Sequence, residues 1–295
     1  MPKDIRGILP EEYWAELPIK QFDPIETWRP TTGDMRDNYK SMLVIGGSGT
    51  GKSFFIADQM YYIQKVGTCD KGVVYCPTEA VNGNYGRLLP PMVLHKTLDP
   101  DHLNKVLQAN ENKMVSSAYK PNTRDGTLII MDDVQDSAKT WKNHEATKTL
   151  FMRGRHAHTP VIYGIQEAIA DVPPWLRQQI KIVVLLFNNR AIDREKLYKN
   201  YASVIPSYGL FNHLMNQITV NRGALILDNT KMSMNFLDCV FWYRATTHEP
   251  FRFGTSDFWN YADRKQLGKL KAIETPIKEK HYDDDEGESL SDEYI

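Results

Sequence analysis

Short apolar runs recur along this chain at Ser41–Ile45, Gly72–Cys76, Thr127–Met131, Val161–Ile165 and Ile180–Phe187. None shows the two-residue alternation of a half-exposed strand, and helical stretches lie between them. That is the pattern of a mostly parallel sheet buried on both faces by helices. The segment after the first run, KSFFIADQMYYIQKV from Lys52 to Val66, is predicted to be a helix. Residues 191–215 are predicted helical and polar, and GALILD (223–228) and DCVFWYRA (238–245) read as two strands of a hairpin. The expected organisation is an α/β domain over 39–262, with its core at 39–190 and a C-terminal β-hairpin extension at 191–262. Residues 1–38, rich in Pro and acids without a clear period, are expected to form an arm packed over that core. Residues 263–295 turn Lys-rich and then acidic, which predicts a disordered tail.

Composition supports one such domain. With 295 residues and 41% apolar content the chain can fill a core. No apolar run approaches the roughly 18 residues that would span a bilayer, and MPKDIRGILPEEYWAELP lacks the basic start and uninterrupted apolar stretch of a signal peptide. An intracellular protein is expected. Cys69, Cys76 and Cys239 have no metal-ligand spacing and read as reduced thiols.

The net charge of −1 conceals an asymmetry. Asp283, Asp284, Asp285, Glu286, Glu288, Asp292 and Glu293 fall in the last thirteen residues without a Lys or Arg, and without those seven acids residues 1–282 carry +6. The basic balance suits a nucleic-acid partner. The tail itself suits a solubilising role, a nucleic-acid mimic or a docking tail.

The first apolar run leads into Gly46-Gly47-Ser48-Gly49-Thr50-Gly51-Lys52-Ser53, which matches G-x-x-x-x-G-K-[ST]. Strand, glycine-rich turn and helix is the order a phosphate loop requires. Glycines let successive N–H groups converge on the β-phosphate at the positive end of a helix. Lys52 would reach the β- and γ-phosphates and Ser53 would ligate Mg²⁺, so ATP with magnesium is the expected ligand.

The run Thr127–Met131 ends in Asp132 and Asp133, a Walker B pattern. Asp132 is expected to hold the metal and Asp133 to position or deprotonate the attacking water, with both acids and the P-loop at the carboxyl ends of neighbouring strands. Asp133 is one methylene shorter than the Glu of many hydrolysing P-loop ATPases. Gln166 ends the run Val161–Ile165 on the same sheet edge, where its amide would sense the γ-phosphate and the lytic water. Arg153 and Arg155 precede that run and are expected at the opposite edge, poorly placed for their own subunit. A finger into a neighbouring subunit, a DNA-phosphate contact and a surface salt bridge are the open readings. His156 and His158 lack partners at ligand spacing.

Taken in order, GGSGTGKS, LIIMDDV, FMRGRHAHTPVIYGIQ, PPWLRQQI and ALILDNTKMSMNFLDCVFWYRA resemble the genome-packaging ATPases of nucleocytoplasmic large DNA viruses, the poxvirus and iridovirus type. These belong to the FtsK–HerA branch of P-loop motors, and the similarity covers roughly residues 40–255. It implies a RecA-like (ASCE) P-loop NTPase that hydrolyses ATP and threads double-stranded DNA into a preformed capsid. It further implies a homo-oligomeric ring of five or six subunits, capsid or virion-membrane partners, and residence in the host cytoplasm, a virus factory or the virion. Lys52, Ser53, Asp132, Asp133 and Gln166 match the family's phosphate, metal, water and sensor groups, and Arg153 and Arg155 fall in its RGRH element. A DNA helicase or terminase-like ATPase, and a nucleotide-gated structural protein of a virion vertex, remain the other readings.

Overall fold

The structure is a computed structural model that describes residues 17–29, 39–116, 125–167, 170 and 172–274, the side chains of 268–274 excepted. Most of the arm, and the acidic stretch Asp283–Glu293, lie outside the described residues.

In chain order, Lys20–Gln21 (β1) and Pro24–Trp28 (α1) precede Ser41–Ile45 (β2) and Lys52–Val66 (α2). Cys69–Tyr75 (β3), Glu79–Asn82 (α3), Leu94–His95 (β4), Pro100–Val115 (α4) and Gly126–Asp132 (β5) follow. Then come Ala138–Trp141 (α5), Glu145–Arg153 (α6), Val161–Ile165 (β6), Pro174–Arg177 (α7) and Ile182–Leu185 (β7). The C-terminal part holds Ala191–Tyr201 (α8), Tyr208–Ile218 (α9), Gly223–Asp228 (β8), Phe236–Cys239 (α10), Val240–Arg244 (β9) and Ser256–Glu274 (α11).

These strands form a single sheet in the order β1-β9-β8-β7-β2-β6-β5-β3-β4. The segment from β7 to β4 is parallel throughout, and β8 joins it antiparallel to β7 and β9. Every residue of β2, β5, β6, β7 and β8 is buried, as runs without alternation require when both faces are covered. Each large side chain buried in this way contributes about 1.5–3 kcal/mol, so the central strands are the least yielding part of the molecule.

The sheet continues past the expected core at one end, where β8, β9 and β1 lie beyond β7. β1 pairs in parallel with β9, matching Lys20 to Phe241, so part of the N-terminal arm covers what would otherwise be an open edge. Trp28 fixes that arm: it is fully buried, its indole Nε1 donates to Gln59 Oε1 at 3.0 Å, and its carbonyl accepts from Thr68 Oγ1 at 3.0 Å.

A buried carboxylate fastens the C-terminal segment to the helix after the P-loop. Asp58, inside α2, accepts from Tyr243 Oη at 2.7 Å and from the Thr246 N–H at 3.1 Å, and it is hydrogen-bonded with His248 Nε2 at 2.7 Å. The His248 ring stacks on Tyr61 with centroids 3.8 Å apart.

The domain boundary expected near residue 262 falls inside α11, which continues to Glu274. Lys and Gln are good helix formers as well as marks of a charged tail, so the basic stretch begins as helix.

Candidate functional site

Two glycines give the P-loop its shape. Gly49 has φ 75° and Gly51 φ 102°, left-handed values that L residues with side chains rarely adopt. Gly46 is required for a different reason, since a β-carbon there would lie 2.5 Å from Thr50 Oγ1 and 2.9 Å from Leu186 Cβ. Thr50 Oγ1 closes the loop by donating to the Gly47 carbonyl at 2.8 Å. Gly51 is the N-cap of α2, so the first-turn N–H groups of that helix, those of Lys52 and Ser53 among them, have no intrahelical acceptor and face the loop's concavity.

The expected carboxylates meet the P-loop, with one correction to their placement. β2 and β5 are not neighbours: β6 lies between them. This interposition sets Gln166, one residue past β6, between the phosphate loop and the acids. Ser53 Oγ donates to Asp132 Oδ2 at 2.9 Å, Lys52 Nζ stands 3.4 Å from Asp133 Oδ1, and Gln166 Nε2 donates to the same Oδ1 at 3.2 Å. Lys52, Ser53, Asp132, Asp133 and Gln166 therefore form one connected cluster.

Asp133 has φ 55° and ψ 34°, and its N–H donates to the Gly164 carbonyl at 3.2 Å. The left-handed backbone costs about 1–3 kcal/mol in a residue with a side chain, and it turns the Asp133 carboxylate back toward Lys52. A γ-phosphate entering the loop would compete with Asp133 for that ammonium.

Asp132 is almost fully buried. Burial first, and then the neighbouring Asp133 charge, push its carboxyl above the usual carboxylate range, while hydrogen bonds from Tyr85 and Ser53 act in the opposite direction. Asp132 Oδ1 is buried with no hydrogen-bond partner. A buried carboxylate with an unanswered oxygen, joined to a hydroxyl on the next element, is a donor set that fits a hard divalent cation such as Mg²⁺. Ser53 and Asp132 are the residues that would hold it.

Two members of the site escaped sequence reasoning. Tyr85, in the loop after α3, is fully buried and donates from Oη to Asp132 Oδ2 at 2.8 Å. Glu79 Oε1 fixes its loop by accepting from the Tyr85 N–H at 2.9 Å and the Gly86 N–H at 2.7 Å. Nothing in NGNYG distinguishes that tyrosine from an ordinary loop residue. Gly164 pairs with Asp132 across β5 and β6, and an isolated glycine inside a strand is a legible sign of close approach.

Arg153 and Arg155 lie away from this cluster. The segment they occupy precedes β6 and packs near the start of β2: Tyr39 Oη donates to the Leu150 carbonyl at 2.8 Å, and the Val161 N–H to the Lys40 carbonyl at 3.1 Å. That is the sheet edge opposite the P-loop. Arg153 is held on its own helix by Glu145 Oε1 at 3.2 Å and Thr149 Oγ1 at 3.0 Å, whereas Arg155 Nε lies 3.3 Å from His156 Nε2. His158 is buried against Asp125, with Nδ1 and Oδ1 2.8 Å apart.

A parallel sheet with this phosphate loop and a pair of strand-end acids defines a P-loop ATPase. More narrowly, the chain belongs to the Poxvirus A32 protein family, which matches residues 31–237. Protein 015R of Frog virus 3 (isolate Goorha) is 29% identical over 274 residues, covering 89% of this chain and 80% of that protein. Protein 088R of Invertebrate iridescent virus 3 is 28% identical over 242 residues, 81% of this chain and 89% of that protein.

Among solved structures, B204, the DNA-packaging ATPase from Sulfolobus Turreted Icosahedral Virus, superposes with a TM-score of 0.51 at 12% identity, over 70% of this chain and 98% of B204. The genome packaging NTPase B204 of Sulfolobus turreted icosahedral virus 2, in complex with AMPPCP, also gives 0.51, at 14% identity and the same coverage. At such identity the likeness is one of fold. Among the described residues no helix is long and apolar enough to cross a membrane.

Proposed function

We propose that this chain is an ATP-driven motor that moves double-stranded DNA into a preformed viral capsid as a homo-oligomeric ring of five or six subunits of the FtsK–HerA type. One observation carries the reading: the nucleotide cluster is assembled within one chain, while Arg153 and Arg155 stand exposed at the opposite sheet edge. In a ring that edge can face the next subunit's P-loop, where a guanidinium would meet charge developing on the γ-phosphoryl group. Membership of the Poxvirus A32 family, the packaging role named for the B204 proteins of the same fold, and the basic balance of residues 1–282 support it.

In this reading Gly46–Ser53 cradles the triphosphate and Lys52 leaves Asp133 to bind the β- and γ-phosphates. Bound Mg²⁺, held by Ser53 and Asp132, would neutralise charge on the phosphate oxygens. Asp133, freed from Lys52, accepts a proton from or orients the attacking water, and Gln166 reports the presence of the γ-phosphate. Residues 39–262 form the ATPase domain, 1–38 an arm and 263–295 a tail that starts within α11, in a protein of the host cytoplasm, virus factory or virion with capsid or virion-membrane partners.

Duplex DNA is expected to stimulate turnover, with a stimulation that falls steeply as salt rises because phosphate contacts release counterions. An assembled oligomer whose turnover no DNA stimulates at low salt would sink the motor. The short Asp133 favours the second reading, a nucleotide-gated vertex protein with slow hydrolysis, and the same turnover measurement separates the two. Strand displacement would instead indicate a helicase.

A further inference from the structure

Arg222 reaches the P-loop from a distant part of the sequence. It is the last residue of the turn Val220–Arg222, which carries the chain from α9 into β8. Asn221 has φ 53° and Arg222 φ 61°, two consecutive non-glycine residues in the left-handed region. Such backbone persists only where its surroundings dictate it, and it concentrates at functional sites. The constraint here is visible at the next residue: a β-carbon on Gly223 would lie 1.8 Å from the Ile218 carbonyl oxygen, so the chain turns hard against the end of α9.

The outcome of this turn is the position of one side chain. Arg222 Cβ, Cγ and Cδ each lie 3.9 Å from the β-carbon position that Gly51 leaves empty. Its guanidinium stands over the Phe54 ring, 5.9 Å from the centroid, beside the first turn of α2. Arg222 is exposed, and among the described residues it enters no salt bridge. An aromatic face orients a planar guanidinium while leaving its N–H edges available to an anion.

The sheet order, with Asp132, Asp133 and Gln166 read as the γ-phosphate groups, sets the direction a nucleotide would take. Asp132, Asp133 and Gln166 gather on the β6 and β5 side of β2, which the proposed function takes as the γ-phosphate end. On that reading the nucleoside end would leave across the first turn of α2 on the other side, toward β7 and β8, and Arg222 stands on that side, immediately before β8.

We propose that Arg222 contacts the α-phosphate and nucleoside end of the nucleotide bound in its own subunit. This rests on the reading of Gly46–Ser53 as the nucleotide site, and it makes Arg222 a binding residue contributed in cis, distinct from any arginine of a neighbour.

Titration calorimetry on the full chain tests it, with ADP and with a non-hydrolysable ATP analogue as ligands. Arg222→Asn is the variant to use, because asparagine tolerates left-handed backbone. It is expected to weaken both ligands about ten- to a hundredfold, the loss of a charge-assisted contact, and by the same factor. Arg222→Lys is expected to lose less. Unchanged affinity in Arg222→Asn overturns the proposal, and so does a loss confined to the ATP analogue, which would put the guanidinium at the γ-phosphate. Arg222→Gly, in which the left-handed strain is relieved, gives the same reading should the asparagine variant not fold. If the unaltered chain binds neither ligand, or Lys52→Ala binds both normally, the nucleotide-site reading itself fails.

Discussion

Gly164 faces Asp132 across the β5–β6 ladder, and a β-carbon at position 164 would sit 2.4 Å from Asp132 Oδ1. The Asp132 carboxylate thus occupies the space of a missing side chain on the next strand. In Gly164→Ala the carboxylate must move, because the alternative is to shift a strand bonded on both sides. The expected result is a folded protein with turnover reduced at least tenfold and a raised magnesium requirement. ATPase assays across a magnesium titration check this, and an unchanged titration would mean that Asp132 is not a metal group.

Tyr85→Phe removes only the hydroxyl that donates to Asp132 Oδ2. A buried hydrogen bond to a charged acceptor contributes about 1.5–3 kcal/mol. Without it Asp132 loses one of the two bonds that favour its ionised form, and its carboxyl is expected to hold a proton to still higher pH. The acid limb of the pH–rate profile should move upward; a profile that keeps its position while stability falls would make Tyr85 merely a packing residue.

Asp132 also makes a stability prediction. Its carboxyl is raised in the folded state by burial and then by Asp133, so the folded protein holds this proton to higher pH than the unfolded chain does. Its contribution is favourable below the ordinary carboxylate pKa of about 4, and is lost as pH rises from there through the raised folded value. At neutral pH without nucleotide, Asp132→Asn is therefore expected to melt about 2–4 °C higher. The same variant should lose metal-dependent turnover. Thermal unfolding at several pH values measures the first effect, and a lower melting point at neutral pH contradicts it.

Lys52 and Asp133 are paired at 3.4 Å but are expected to fail differently when changed. Lys52→Ala should abolish nucleotide binding. Asp133→Asn keeps a side chain that Gln166 can still reach, so binding should persist while turnover falls about 10²–10⁴-fold, the usual worth of a general base. Normal turnover in Asp133→Asn would remove that residue from its assigned role.

Asp58→Ala is expected to destabilise the protein by about 3–5 kcal/mol, the cost of leaving the partners of a buried charge unanswered. Tyr243, Thr246 and His248 would lose a common acceptor, so the segment after β9 should become protected least against hydrogen exchange. Unaltered protection there would show that packing, not the carboxylate, holds it.

What could be read in the sequence was what depends on local order. Apolar runs located β2, β3, β5, β6, β7 and β8, because a strand buried over most of both faces cannot hide its composition, and the aromatic run of half-exposed β9 marked it as well. The helix from Lys52 to Val66 was legible because a P-loop dictates where it starts and Gly67, at φ 80°, ends it. Lys52, Ser53, Asp132, Asp133 and Gln166 were legible as motif members, yet their mutual arrangement was not: β2 and β5 looked adjacent until β6 took the place between them. Tyr85 and Arg222 were invisible for a related reason. Each sits in a turn whose path is set by a contact that leaves no pattern in the sequence, the Glu79 carboxylate in one case and the Ile218 carbonyl in the other. The pairing of Lys20–Gln21 with β9 belongs to the same class, since two residues carry too little pattern to declare a strand.

Strand β6 has a mechanical meaning as well as a chemical one. Its five residues pair with β2 on one side and the first four of them with β5 on the other, and it runs from the turn after Arg155 and His156 to Gln166. At about 3.3 Å per residue it spans about 16 Å, and an extended backbone has almost no slack to give. It behaves as a tie rod clamped along its length. On the proposed reading, a load applied to the arginine turn at one end would be felt at the amide beside Asp133, and seating or losing a phosphate there would pull on the same rod from the other end.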